Sequence, residues 1–324
     1  MANTAFSPTN SVTTTSAANF IPEIWSDEIV AAYKKNLVLA NLVKKMSFKG
    51  KKGDTVNIPS PARGSASAKA ATDAVTLIAE SDTNIQVLIN SHYEYSRLIE
   101  DIVEVQALTS LRSFYTEDAG YALARRIDTS LVQLGRAFNG ATFGTDDYAT
   151  AASSTKAYVG SDGTTAYNSS TSNAASLTDA AIRRTIQRLD DNDIPMDGRF
   201  FLIPPSSRNT LMGLARYTEQ AFVGNGDAIR NGEIGQLYGM AVFASSNADT
   251  AAGNSTTDRI CLMGHKDAMV LVEQIGIRSQ TQYKQEYLGT LFTADTLYGV
   301  KALRTSATSS AANASGAFAL AVPA

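Results

Sequence analysis

The stretch from residue 106 to residue 138 reads QALTSLRSFYTEDAGYALARRIDTSLVQLGRAF, and how it folds decides the shape of the molecule. Leu108, Leu111, Tyr115, Ala119, Leu123, Ile127, Leu131, Leu134 and Phe138 recur at helical spacing, and no proline interrupts them. That is the period of one apolar face of an α-helix. At about 1.5 Å per residue, a helix over the whole stretch would be about 50 Å long. It would outrun the diameter of a small compact core, so the spacing predicts an elongated molecule. Gly120 is tolerated inside such a helix at a cost of about 1 kcal/mol.

Upstream, residues 1–19 are Ser, Thr, Asn and Ala with a proline, a composition that cannot bury enough apolar area to order itself, and they read as an arm. From Pro22 the pattern changes. Trp25, Ile29, Ala32, Tyr33, Leu37 and Ala40 predict a first amphipathic helix, with Pro22 suited to its first turn. After a lysine-rich turn, Thr55-Val56-Asn57-Ile58 alternates and stops at Pro59 and Pro61, and Asn84-Ile85-Gln86-Val87-Leu88-Ile89 resumes extended structure. These segments predict a long hairpin with a flexible tip at 62–68 and little apolar content of its own. An isolated strand pair is marginal in water, so the hairpin needs another surface to lie on.

Downstream, residues 139–176 are rich in Gly, Ser, Thr, Asn and Ala and too long for an ordinary connection. Ser176 or Thr178 then caps a helix in which Ile182, Ile186 and Leu189 share a face, closed by Asn192 and Pro195. Phe200-Phe201-Leu202-Ile203 reads as a buried strand, and Pro204-Pro205-Ser206 opens a helix carrying Leu211 and Leu214. A glycine-rich loop follows through Gly224, Gly226, Gly232 and Gly235. Short strands are expected at 240–244, 259–263, 268–272 and 297–303, and Phe318-Ala319-Leu320-Ala321-Val322 reads as a short docking segment.

The chain of 324 residues is 44% hydrophobic and 18% charged, a globular composition. Lys plus Arg total 28 against 31 Asp plus Glu, a net charge of −3, which argues against a protein built to grip nucleic acid. A single cysteine, Cys261, excludes an intrachain disulfide and a Cys-rich zinc site and fits a reducing cytoplasm. It lies within Ile260-Cys261-Leu262 and reads as a small buried hydrophobe. No apolar run approaches the length of a membrane-spanning helix, and the first residues lack the pattern of a secretion signal.

The candidate sites are weak one by one. Neither His92 nor His265 has a ligand-spaced partner. Asp190-Asp191-Asn192-Asp193 lacks the glycine and terminal glutamate of a calcium loop, and reads as a solvated turn whose simplest function is to meet a basic surface. Gly224-Asn225-Gly226 lacks the lysine of a phosphate loop. Lys44, Lys45, Lys49, Lys51 and Lys52 cluster where the first helix meets the hairpin, as a solvated face or a subunit contact. No catalytic constellation, metal set or cofactor motif is found.

The order of parts resembles the major capsid protein of tailed bacteriophages, the Hong Kong 97 fold, over roughly residues 20–305. Ile21-Pro22-Glu23-Ile24-Trp25 with Leu39-Ala40-Asn41-Leu42-Val43 resembles the arm and first helix of these coats. Gly53-Asp54-Thr55-Val56-Asn57-Ile58-Pro59 is similar to the ascending strand of their E-loop. Arg112-Ser113-Phe114-Tyr115-Thr116-Glu117 through Ala122-Leu123-Ala124-Arg125-Arg126-Ile127-Asp128 resembles the spine helix of coats from short-tailed phages, the podoviruses. Ile194-Pro195, Arg199 to Pro205 and Gly235 to Val242 resemble the axial domain, and Thr296-Leu297-Tyr298-Gly299-Val300-Lys301 the last peripheral strand.

The resemblance implies an α+β chain divided into an N-terminal arm and first helix (1–48), an E-loop (49–99) and a peripheral domain with spine helix and insertion (100–175). An axial domain (176–275), a return to the peripheral domain (276–305) and a C-terminal tail (306–324) complete it. It implies a coat without catalysis or cofactor, assembled in the host cytoplasm into the hexamers and pentamers of an icosahedral head that encloses double-stranded DNA. The implied partners are further copies of the chain, a separate scaffolding protein, a portal protein and a decoration protein, with no membrane. Lys49, Lys51, Lys52 and Arg63 are the expected inter-subunit contacts, with Asp190 and Asp191 as acidic counterparts. Lys69 is the only lysine near the loop tip and no covalent partner can be assigned to it, so a noncovalent shell is expected. The rival readings are an encapsulin-like nanocompartment shell and a small-molecule enzyme built on residues 176–275.

Overall fold

The computed structural model describes residues 37–50, 52–60, 83–102, 111–138, 174–214, 235–252, 257–304 and 316–324, with isolated positions between 66 and 77. The expected arm, most of the first helix, Lys51, Arg63, the 139–173 insertion and the glycine-rich loop before residue 235 lie outside the described residues. Leu39–Leu42 is a single helical turn (α1) that runs into β1, Lys44–Ser47.

The expected hairpin is present as β2, Thr55–Ser60, and β3, Thr83–Leu88, paired antiparallel with Thr55 opposite Leu88. The expected stop at Pro59 is corrected, since the strand runs through Pro59 to Ser60. In a two-stranded sheet each strand has a free edge, where proline's missing N–H removes no ladder bond. The surface that this pair needs is supplied at its root by the same chain. Val87 and Ile89 are buried against Val270 and Val272, with Val56, Ile58, Met46, Phe48 and Leu297 packed around them. The amide of Ile89 donates to the Asp54 carbonyl at 2.7 Å, and Gln274 Nε2 donates to the Gly53 carbonyl at 3.0 Å.

Four strands form the sheet beneath this root, in the order β1, β10 (Met269–Lys284), β11 (Gly289–Ala302) and β4 (Ser91–Glu100). β1 runs parallel to β10, and the other two pairings are antiparallel. The short strands expected at 268–272 and 297–303 are only the buried roots of this β10–β11 hairpin. The outer half of β10, Arg278-Ser279-Gln280-Thr281-Gln282, is polar on both faces, so neither a core run nor an alternation announces it.

The long helix is α2, Leu111–Gln133, 23 residues or about 35 Å, closed by a 3₁₀ turn at Leu134–Ala137. The expected length of about 50 Å is thus shortened at its C-terminal end, while residues 103–110 lie outside the described part. Close packing accompanies the change of pitch: a β-carbon on Gly135 would lie 3.2 Å from Cδ1 of Leu262. The expected apolar face holds, because Ala119, Leu123, Ile127, Leu131, Leu134 and Phe138 are all buried. Ala119 and Leu123 cover Phe292 and Ala294 of the four-stranded sheet, and Ile127, Leu131, Leu134 and Phe138 enter the main core.

A second sheet of six strands packs on that core, in the order β12 (Ala317–Val322), β9 (Thr257–His265), β5 (Arg199–Ile203), β7 (Met240–Ala244) and β6 (Gln236–Leu237), with β8 (Thr250–Ala252) also paired to β9. Its alternation sends Phe200, Leu202, Ile260, Leu262, Ala319 and Ala321 toward α2. Phe201, Ile203, Cys261, Met263, Phe318, Leu320 and Val322 face the helices α3, Asp179–Asp191, and α4, Pro205–Met212. Thr178, not Ser176, caps α3, its Oγ1 accepting from the Ala181 amide at 3.2 Å. The C-terminal docking segment is β12, six buried residues antiparallel to β9.

Gly299 sits where the hairpin root crosses β11. A β-carbon there would overlap the Leu88 carbonyl oxygen and come within 3.1 Å of Ile89 Cα. Gly299→Ala is therefore expected to lift the hairpin root and to lower stability by about 1–3 kcal/mol, read from urea unfolding of the free chain. An unchanged midpoint would show that the root is not seated as described.

Candidate assembly surfaces

Lys44, Lys45, Lys49 and Lys52 are exposed around β1 and the hairpin root, as the sequence suggests. Lys49 lies across β10, so that a β-carbon on Gly276 would meet its Nζ at 3.2 Å. Lys45 Nζ donates to Asn41 Oδ1 at 3.1 Å. Asp190 and Asp191 lie elsewhere, at the end of α3 in the layer that covers the six-stranded sheet. Asp190 Oδ1 accepts from Arg199 Nη2 at 2.7 Å, and the buried Arg199 also donates to the carbonyls of Pro195 and Ile194. Asp190 is thus engaged within its own chain, pinning the turn between α3 and β5, and Asp191 stands exposed beside it.

An apolar surface that the sequence reading missed lies at the far end of the four-stranded sheet. Leu98, Ile102, Tyr283, Tyr287 and Leu288 are exposed there, Leu288 at 67%. Tyr283 donates from its hydroxyl to Asp101 Oδ2 at 2.8 Å, and this bond pushes the phenol above its ordinary pKa. The Asp101 amide donates to the Leu288 carbonyl at 3.1 Å, tying the end of β4 to the β10–β11 turn. The available signal was Tyr287-Leu288 immediately before Gly289, large apolar residues in a turn with no core to fill. On the hairpin, Leu77 is 90% exposed, and Val75 and Leu88 are also open.

Both faces of the sheet between these ends are tied by polar contacts. On the face toward α2, Arg126 stacks over Tyr93 and donates to its hydroxyl at 2.8 Å; Tyr95 donates to Asp118 at 2.8 Å; Arg97 stacks over Tyr115. On the other face Arg278 donates two bonds to Asp295, at 2.8 and 2.9 Å, and His92 Nε2 lies 3.3 Å from the same carboxylate. Arg278, with a smaller contribution from His92, holds the Asp295 carboxyl below the usual carboxylate range.

His265 is a structural residue: Nε2 lies 2.7 Å from the Asp197 carbonyl, and Nδ1 accepts from the Asp267 amide. Cys261 is fully buried beside Ser207, and burial pushes its thiol up to about 12, far from nucleophilic character. Among the described residues no group of three or more His, Cys, Asp or Glu side chains is placed to hold a metal.

Two sheets joined by one long helix, an extended hairpin rooted on the first sheet and the exposed ends described above define a shell subunit of the Hong Kong 97 type. The family model of phage capsid proteins matches residues 23–301, and the chain belongs to that family. Solved structures share the fold. A structure of Mycobacterium phage Che8 superposes with a TM-score of 0.70 at 23% identity, covering 93% of this chain and 97% of the other. The capsid of cyanophage P-SCSP1u gives 0.71 at 19% identity, with 97% and 96% covered, and that of Ralstonia phage GP4 gives 0.64 at 14%, with 94% and 95% covered. No curated protein matches the sequence. The chain is thus a major capsid protein, a self-assembling subunit of the capsid lattice in the phage head.

Because the native carboxyl of Asp295 lies below its unfolded value of about 4, its contribution is present above that pH and is lost as pH falls toward the native value. Asp295→Asn is therefore expected to cost stability near neutrality and progressively less below about pH 4. Urea unfolding of wild type and variant between about pH 7 and about pH 3 measures this, and a pH-independent difference would contradict it.

Proposed function

We propose that this major capsid protein builds the hexamers and pentamers of an icosahedral head around double-stranded DNA, with no catalytic activity of its own. The observation that carries the proposal is a set of large apolar side chains left exposed on projecting parts of the chain, Val75 and Leu77 on the hairpin and Ile102, Tyr287 and Leu288 at the end of the four-stranded sheet. Such surfaces are suited to covering by further copies of the chain. The net charge of −3 favours a shell that encloses DNA without sequence-specific binding. Assembly in the host cytoplasm with a separate scaffolding protein, a portal and a decoration protein completes the reading, and the spine-helix residues favour a short-tailed phage. Sedimentation velocity with negative-stain imaging tests it, on the chain alone and with its candidate scaffolding protein. Closed shells tens of nanometres across are expected, and small oligomers under both conditions would reject the proposal.

The shell is held by noncovalent contacts. Lys69, exposed near the hairpin tip, forms no bond to a neighbour, so boiling assembled shells in denaturant should release monomer only, and a ladder of multimers on the gel would contradict this.

Lys49, Lys51, Lys52 and Arg63 contribute cationic contacts between subunits, with Asp191 and the outer side of Asp190 as acidic counterparts. Lys49→Glu combined with Lys52→Glu should abolish or strongly reduce shell formation while leaving the circular dichroism and unfolding midpoint of the free chain unchanged. Normal shells from this variant would remove the lysines from the interface.

A further inference from the structure

Asp128, on α2, is 1% exposed, and both of its carboxylate oxygens are engaged. Oδ1 accepts from the backbone amides of Leu39 at 2.9 Å and Ala40 at 3.4 Å, at the start of α1. Oδ2 accepts from Nδ2 of Asn247 at 2.9 Å, in the connection between β7 and β8. Asn247 is itself fixed: its backbone amide donates to Ser245 Oγ at 3.1 Å and its side chain donates to Thr129 Oγ1 at 3.2 Å. The partners lie 89 and 119 residues from Asp128 in sequence, one where the N-terminal segment enters the core and the other in the six-stranded sheet region.

Among the described residues, every hydrogen-bond partner of this carboxylate is an N–H donor and none is a cationic side chain. The terminal torsion of an aspartate is broad and nearly two-fold, so the side chain does not choose its own plane. The bond from Asn247 to Oδ2 chooses it, and that plane aims Oδ1 at the amides of Leu39 and Ala40. We propose that Asp128 is a shared latch, through which the Asn247 connection of the six-stranded sheet and the entry of the N-terminal segment hold each other in place. A shift of either segment against α2 then loosens the other. Its use when a subunit changes shape in a shell rests on the capsid reading, whereas the coupling itself does not.

Residue-resolved amide hydrogen exchange on the full chain tests the latch, with Leu202 and Leu262 in the core as internal references. Asn247→Ala touches neither Leu39 nor Ala40, yet it is expected to speed exchange at both amides by about fivefold, the equivalent of one ordinary hydrogen bond, with the references unchanged. Asp128→Asn should speed the same amides at least as much, since its amide group faces donors with donors. Unchanged exchange at Leu39 and Ala40 in Asn247→Ala, or an equal acceleration of all four amides, would overturn the proposal. If Asp128→Asn does not fold, Asn247→Ala decides alone. Failure to form shells in the sizing experiment would sink the capsid reading and leave this result standing.

Discussion

The four residues Met269–Val272 are buried on both faces of their sheet, and the rest of the molecule is arranged around that constraint. Met269 and Leu271 point into the core shared with α1 and the second half of α2, while Val270 and Val272 point into the root of the β2–β3 hairpin. On one flank β1 pairs in parallel, with Lys44 opposite Val270, and on the other β11 pairs antiparallel, with Ala302 opposite Met269. Burying each such side chain contributes on the order of 1.5–3 kcal/mol, so this segment binds the helix layer to the hairpin layer more firmly than any exposed ion pair. Beyond Val272, β10 buries no further side chain, whereas β11 continues outward with Phe292 and Ala294 buried beneath Ala119 and Leu123 of α2.

The six-stranded sheet follows the opposite rule. Both of its faces are covered along most of its length, by α2 on one side and by α3 and α4 on the other, and its strands are apolar at nearly every position. Its last strand, β12, arrives from the far end of the chain, and Gly316 returns to Arg304 through an amide-to-carbonyl bond of 3.0 Å. The close fit of Gly264 against Ala317, where a β-carbon would approach to 2.5 Å, leaves no room for slippage of that strand. One sheet is covered on both faces, whereas the other is covered on both faces only at its root and on one face, by α2, farther out.

That division explains what was legible in the sequence. Elements with a buried face announced themselves: the helical period from Ala119 to Phe138, the capped α3, the run Phe200-Phe201-Leu202-Ile203, and β12 from its apolar residues within a low-complexity tail. The outer half of β10 did not, because Arg278 to Gln282 owe their strand to backbone pairing with Leu291 to Asp295 and not to burial. Asp128 was invisible as a site for a different reason. A carboxylate at a position flanked by Ile127 and Leu131 looks like one more polar residue of an amphipathic helix, and only the fold brings Leu39 and Asn247 to it. The lysine cluster was legible as a charged surface, whereas Asp190, grouped with it on charge alone, is held by Arg199 from within its own chain.

A subunit repeated by symmetry does not need a strong interface, since each weak contact recurs throughout the lattice. It does need to stay soluble until the lattice forms. Gathering all of the exposed apolar side chains into one patch would make a sticky monomer; here Val75, Leu77 and Leu88 lie on the hairpin and Ile102, Tyr287 and Leu288 at the end of the sheet. The polar hairpin surfaces between them serve the same end. Residues such as Gln280 and Gln282 add no apolar area, yet their strand carries the β10–β11 turn away from the core and leaves Tyr287 and Leu288 exposed. That reach leaves the outer part of the sheet covered on one face only, where the buried Phe292 and Ala294 and the Arg126–Tyr93, Tyr95–Asp118 and Arg97–Tyr115 contacts hold it against α2.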